Sequence, residues 1–179
     1  MVIDRTRRTP NVESRIEPVR CIVLHATAGS EAGSVAWLCN PTSRVGAHYV
    51  ISKTGIVREL ADPGMFAAWH AGVSTWGGRT NVNRFSIGVE LVNRNDGRDP
   101  YPDDQIIATA TLCVDLMRRF GLSVDALDEQ NLLFSPITTH AAIALPKGRK
   151  TDPRSFPLGR FFVMVRRMAT SPDDSAPAT

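Results

Sequence analysis

The sequence predicts a single α/β domain, a mixed central β-sheet flanked by helices. Three observations carry that expectation. Short apolar runs rich in β-branched residues occur at 21–25, 47–52, 56–60 and 85–92, each the length of a strand and each bounded by turn residues. A long segment beginning at Pro102 repeats its apolar residues at helical spacing. Strand and helix signals interleave along the chain, with no internal repeat, which favours one layered sheet-and-helix domain. At 179 residues the chain is long enough to bury about 70% of its unfolded surface without disulfide or metal staples.

The elements follow in order. Residues 1–19 are polar and Arg-rich without periodicity and read as an extended lead-in or short N-terminal element. The folded domain is expected over 20–170, with its core beginning at Cys21. Cys21 to His25 reads as a buried strand, and a helix is expected from Glu31 to Cys39, stopped by Asn40-Pro41. Ala47–Ser52 and Ile56–Leu60, joined by Lys53-Thr54-Gly55, read as a hairpin. Residues 64–84 are rich in Trp, Gly and Asn and read as a long surface loop. Phe85 to Val92 gives a further apolar strand. From Pro102, Ile106, Ala110, Cys113, Val114 and Met117 recur every three or four residues up to Gly121, a helix stop. Ile137–Thr139 reads as a short strand delivering His140, and Leu158–Met168 as a final helix. The tail Ser171–Thr179 has the composition of a disordered segment or linker.

Composition narrows the function. Charged residues make up 22% and hydrophobic residues 42%, ordinary values for a globular protein, and no apolar run is long enough to insert into a membrane. The net charge of +3 and pI near 9.0 favour an anionic partner such as a cell-wall polymer. No basic run interleaved with aromatics supports nucleic-acid binding. The N-terminus places charges where a signal peptide has its apolar stretch, so synthesis and initial residence in the cytoplasm are expected. Cys21, Cys39 and Cys113 show no Cys-x-x-Cys spacing and read as small buried hydrophobes.

The chemistry concentrates in one stretch. Residues 140–156, His-Ala-Ala-Ile-Ala-Leu-Pro-Lys-Gly-Arg-Lys-Thr-Asp-Pro-Arg-Ser-Phe, put His140, Lys150 and Asp152 on a loop bent by Pro and Gly. His25, ending a strand, supplies a third ligand, and two imidazoles with one carboxylate leave a zinc ion an open position for water. Taken singly each residue has a plain alternative: a histidine at a strand end is often a satisfied polar group, and an Asp before Pro is often a turn. Glu90 sits inside an apolar strand, on the face of Gly88 and Val92 and opposite Val89 and Leu91. A carboxylate there is costly unless paired, protonated or open to a cleft, so Glu90 is a candidate general base, with an Arg-paired structural role as the alternative. Lys150 can aim a cation at a developing oxyanion.

These residues fall in ordered segments: Ile22–His25, Gly46-Ala47-His48-Tyr49-Val50-Ile51, Ala68-Trp69-His70-Ala71-Gly72, Asn83–Leu91, and His140 through Lys150-Thr151-Asp152-Pro153. Together, over about residues 20–168, they resemble the zinc-dependent N-acetylmuramoyl-L-alanine amidases, a family spanning phage lysozyme amidases, muropeptide-recycling amidases and peptidoglycan-recognition proteins. The resemblance implies one Zn2+ per chain on His25, His140 and Asp152, with Glu90 as acid/base residue and Lys150 as oxyanion stabiliser. It places His48 and His70 behind the ligands or on the cleft wall, with a structural role for His48 as the alternative. Asn83 joins them as a substrate-side candidate. Trp69 and Trp76 are candidates for stacking on sugar or peptide, with packing under a loop the alternative.

The sequence also departs from the family. Ala47 stands where the phage-lysozyme branch has a catalytic tyrosine, while Glu90 fills the recycling-branch position, so a Glu-type mechanism is expected and a substitute role for Tyr49 is not. The interval from His140 to Asp152 is longer than the family's, through Leu145-Pro146-Lys147-Gly148. The implied reaction is hydrolysis of the amide between the lactyl group of N-acetylmuramic acid and L-alanine, by an expected monomer acting on peptidoglycan or muropeptide. The cellular role expected is the catalytic part of a phage endolysin, reaching the wall through a holin-type pore, with a cytoplasmic recycling amidase as the alternative. A non-catalytic peptidoglycan-binding module and a different zinc peptidase on this scaffold are the rivals.

Overall fold

A computed structural model describes residues 2–170, so the expected tail at 171–179 lies outside the described residues. Its centre is a six-stranded mixed sheet in the order β1-β5-β4-β9-β3-β10. β3 (Cys21–Ala26) is buried at all six positions and lies between β9 (Ser86–Leu91) and β10 (Ile137–Thr139), parallel to both. A strand buried on both faces needs a continuous apolar run, which Cys-Ile-Val-Leu provides. β4 (Tyr49–Ile51) pairs parallel to β9 and antiparallel to β5 (Val57–Glu59), giving the expected hairpin.

One face of the sheet carries the larger core. Ile22, Leu24, Ile87, Val89 and Leu91 pack there against α2 (Asp103–Phe120) and α4 (Leu158–Thr170). All five residues of the predicted α2 stripe are buried. Asp103 and Asp104 in the first turn and Arg118 and Arg119 in the last complement the helix dipole, and Gly121 ends the helix at φ +65°, where a side chain would be strained. The Gln105 amide donates to the carbonyls of Ile51 and Val92, fixing the start of α2 to the sheet. α1 (Glu31–Leu38) is capped by the Ser30 hydroxyl, which accepts from the Gly33 N–H.

Two regions differ from expectation. The segment 64–84 is not a surface loop: it holds β6 (Phe66–Ala68), the β7 (Thr75–Trp76) and β8 (Arg79–Thr80) hairpin, and buried Ala67, Ala68, His70, Ala71 and Val82. Ala71, Val82 and Phe85 cover the second face of the sheet with Cys21 and Val23. Its apolar pieces are too short and too broken by Gly and Asn to show a period. The lead-in is likewise folded in, because β1 (Ile3–Asp4) extends the sheet beside β5 and β2 (Val12–Ser14) pairs with β6. The buried Asn11 amide donates to the carbonyls of Leu38, Asn40 and Val45, tying this segment to the end of α1.

Of the three cysteines, Cys21 and Cys113 are buried and Cys39 is half-buried, all as free thiols. No described helix is long and apolar enough to cross a membrane.

Candidate metal centre and cleft

The site forms at the carboxyl ends of the parallel strands, the usual position for a ligand in an open α/β sheet. His25 is the fifth residue of β3, and Glu90 stands directly across from it on β9. Paired residues on parallel strands share a face, so both project into the same cleft, away from Leu24 and Val89. β10 delivers His140 at the start of the one-turn helix α3 (His140–Ile143), whose N-terminus is capped by the Thr139 hydroxyl accepting from Ala142 N–H. The return of the chain to Asp152 is fixed by the backbone: Ala141 N–H donates to the Asp152 carbonyl at 2.9 Å.

His25, His140 and Asp152 are all buried, and each offers one ligand atom within 4.8 Å of the others, the only such His/Cys/Asp/Glu grouping among the described residues. Asp152 Oδ2 lies 3.0 Å from His140 Nδ1 and 3.4 Å from His25 Nδ1. Burial pushes the His25 imidazole down to about 4, reinforced by neighbouring His140 and opposed by Asp152. At neutral pH its contact with Asp152 is therefore not an ion pair. Burial would raise Asp152, but its contacts with His140 and His25 outweigh it and hold the carboxyl well below its usual range. A bare imidazole nitrogen beside an ionised carboxylate is the donor chemistry a divalent cation requires. The residues fit zinc.

Glu90 is half-buried, with Oε2 sealed and unpartnered. Burial, then the Asp152 charge, push its carboxyl up to about 8, while Lys150 pulls it down. No arginine among the described residues is ion-paired with it, which speaks against the structural alternative. Lys150 and Thr151 border the same cleft, a cavity of about 370 Å3. The 145–150 loop is held by Arg149, whose guanidinium donates to the carbonyls of Leu145, Ala71 and Val73.

The remaining expected residues separate. His70 lines the cleft and also lies behind His25, with Nδ1 2.9 Å from His25 Nε2. His48 is corrected to a structural residue. It is fully buried, its Nδ1 accepts from Gly88 N–H, and burial and Arg15 push it down to about 3. Asn83 acts on the backbone rather than on the cleft, since its carbonyl oxygen accepts from His70 and Ala71 N–H. Trp69 does not border the cleft cavity, and Trp76 packs against Phe85 while its Nε1–H donates to Ser135. Tyr49 points to the opposite core, hydrogen-bonded to Glu59.

Trp37 is the aromatic that sequence reasoning passed over. It is 57% exposed on the cleft rim beside Val45. The signal was its position off the buried Ser34–Val35–Leu38 stripe of α1. Ser86, whose hydroxyl oxygen lies 3.0 Å from His70 Nε2, was also passed over, because that contact depends on the His70 ring folding over β9.

Comparison with known proteins agrees with this geometry. Citrobacter freundii 1,6-anhydro-N-acetylmuramyl-L-alanine amidase AmpD is 37% identical over 125 residues, 68% of this chain and 58% of the relative. A selenomethionine AmpD structure superposes with a TM-score of 0.73 at 28% identity, covering 92% of this chain and 96% of that one. Escherichia coli AmiD, solved in complex with anhydro-N-acetylmuramic acid-L-Ala-D-γ-Glu-L-Lys, gives 0.69 at 27% identity, over 90% of this chain and 60% of that one. The Bacillus subtilis endolysin, at 18% identity, shares the fold. This chain spans 59%, 49% and 58% of the curated relatives from Achromobacter lyticus, E. coli and C. freundii. Residues 15–155, most of the chain, match the N-acetylmuramoyl-L-alanine amidase family, and the chain belongs to it.

Proposed function

We propose that the protein is a zinc-dependent amidase that hydrolyses the bond between the lactyl group of N-acetylmuramic acid and L-alanine. The observation that carries this reading is Glu90 opposite His25 across one strand pair, its acidity near neutral pH, beside the buried His140 and Asp152. Zinc, when held by His25, His140 and Asp152, supplies Lewis acidity and a water activated at neutral pH. Glu90 in its ionised form, made more basic by burial, takes the proton from the attacking water and returns it to the departing L-alanine amine. Lys150, at the cleft edge, places its ammonium where negative charge develops on the carbonyl oxygen. A full ligand set with an unpaired Glu90 argues against a module that only binds.

The relative at 37% identity is named for a 1,6-anhydro-muramyl substrate, which favours a soluble muropeptide over intact wall. The endolysin role rests on a relative at 18% identity, which bears on the fold alone. The test is to incubate the zinc-loaded protein with anhydromuramyl peptide and, separately, with purified sacculi. Release of stem peptide with a free L-alanine amine supports the amidase, and the faster substrate decides between recycling and lysis. Cleavage inside the peptide, or none of either substrate, defeats the reading.

A further inference from the structure

His70 forms a hydrogen-bonded line with residues that the proposed chemistry leaves unused. Ser86 Oγ lies 2.6 Å from the Val82 carbonyl oxygen, and a carbonyl only accepts, so the single Ser86 hydroxyl proton is committed to Val82. Ser86 Oγ is also 3.0 Å from His70 Nε2, and with its own proton spent it can only accept there. His70 therefore carries its proton on Nε2. Among the described residues no carboxylate pairs with this ring, which is buried edge-on against the His25 and His48 imidazoles, so it holds no second proton. His70 Nδ1 is then a bare acceptor, 2.9 Å from His25 Nε2, which must donate. One proton remains to each ring, and His25 Nδ1 is left without one, facing Asp152.

We propose that His70 and Ser86 are positioning residues for the metal site. Together with the Val82 carbonyl they form a one-way hydrogen-bond chain that fixes the His25 tautomer and aims a bare Nδ1 at the metal position. The reverse direction would leave the Val82 carbonyl facing a hydroxyl oxygen without a proton. Metal-ligating imidazoles are generally oriented through their second nitrogen, usually by a carboxylate or carbonyl. Here a second imidazole and a serine extend that link back to the main chain.

The backbone is cut to fit this chain. Gly88 lies on β9 between Ser86 and Glu90, under the His70 ring: a Cβ there would stand 2.4 Å from His70 Cγ and 2.7 Å from Cδ2. Only glycine lets the ring lie flat enough on the strand to reach both Ser86 and His25. From the other side, Asn83 holds the His70 backbone N–H.

The inference rests on the metal-site reading but is tested apart from amide hydrolysis. Long-range 1H–15N correlation on the zinc-free, 15N-labelled protein reads both tautomers directly, and His25 and His70 are each expected with the proton on Nε2. Zinc affinity, measured by chelator competition, is expected to fall about 10- to 100-fold in His70→Phe, which keeps ring volume without nitrogens. His70→Gln, able to accept from His25 and donate to Ser86, is expected to recover most of that loss. Ser86→Ala is expected to give a mixture of His25 tautomers. A proton on His25 Nδ1 in the zinc-free wild type, or unchanged affinity in His70→Phe, overturns the proposal. A wild type with the expected tautomers and zinc affinity that cleaves no muropeptide would sink the amidase reading and leave the chain standing.

Discussion

The two faces of β3 and β9 make opposite use of the same alternation. Ile22, Leu24, Ile87, Val89 and Leu91 point into the core under α2 and α4, where each side chain is interchangeable in kind and matters by volume. The intervening residues reach the other face, and there Ser86, Gly88, Glu90 and His25 matter by the identity of single atoms. On the first face free energy comes from area removed from water. On the second, polar groups are buried against one another, and Glu90 Oε2 is left without a partner. The chemistry sits where local stability is given up, and the α2–α4 face offsets the loss.

The sharpest way to break this comparison is to exchange neighbours on one strand. Glu90→Ala is expected to lower kcat/KM by about 1,000-fold while zinc remains bound and the fold is intact, as read by turnover and metal content. Asp152→Ala should lose both metal and turnover. Activity within a few-fold of wild type in Glu90→Ala would remove it from the mechanism. Leu24→Ala, one residue from His25 but on the core face, is expected to cost about 3 kcal/mol in denaturant unfolding, with near-normal turnover per folded molecule. A large loss of turnover there without loss of stability would mean that the two faces are not separable.

pH distinguishes the faces next, because on β3 and β9 the ionisable side chains lie on the cleft side. Glu90 is held at about 8 in the fold against 4.5 ordinarily. The folded state keeps a proton that the unfolded chain gives up, so this contribution to stability is complete below about 4.5 and is lost as pH rises through 8. Zinc-free Glu90→Gln is therefore expected to be more stable than the zinc-free wild type at pH 9 and to match it near pH 4. His25 and His48 run the other way. Held at about 4 and about 3 against 6.5, they contribute stability that is full above 6.5 and falls as the pH drops toward those values. Thermal unfolding of the zinc-free protein from pH 4 to 9 should show a maximum between the two limits.

The smallest effect is expected at the rim. Trp37→Ala should raise KM several-fold with little change in kcat, and Trp69→Ala should change neither, since Trp69 lies outside the cleft cavity. Equal effects of the two would mean that the cleft extends past Gly46 toward Trp69.

Much of this was legible before any coordinates. The β3 and β9 runs, the α2 stripe and its Gly121 stop follow from periods of two and 3.6 residues, and Glu90 was conspicuous because a charge interrupts an apolar strand. His140 and Asp152 share one loop, and His25 at the end of an apolar run supplied the third candidate ligand. The segment 64–84 was misjudged because its burial comes from two- and three-residue strands pairing with distant partners. The roles of Trp69, Asn83 and His48 stayed open in the sequence for a related reason: each depends on which side of a short irregular segment faces the sheet.

By itself the sequence determined what is periodic and local: the strands and long helices, the α/β class, the family, and the three candidate ligands with Glu90. The tertiary structure alone decided what depends on approach between distant segments. It set the side of His25 that faces Asp152, stacked His70 over Gly88, gave Ser86 its direction of hydrogen bonding, and chose Trp37 for the rim. The physical reason is that side-chain pattern encodes which residues are buried, whereas hydrogen-bond direction and contact over a glycine arise only when separate strands are brought within about 3 Å.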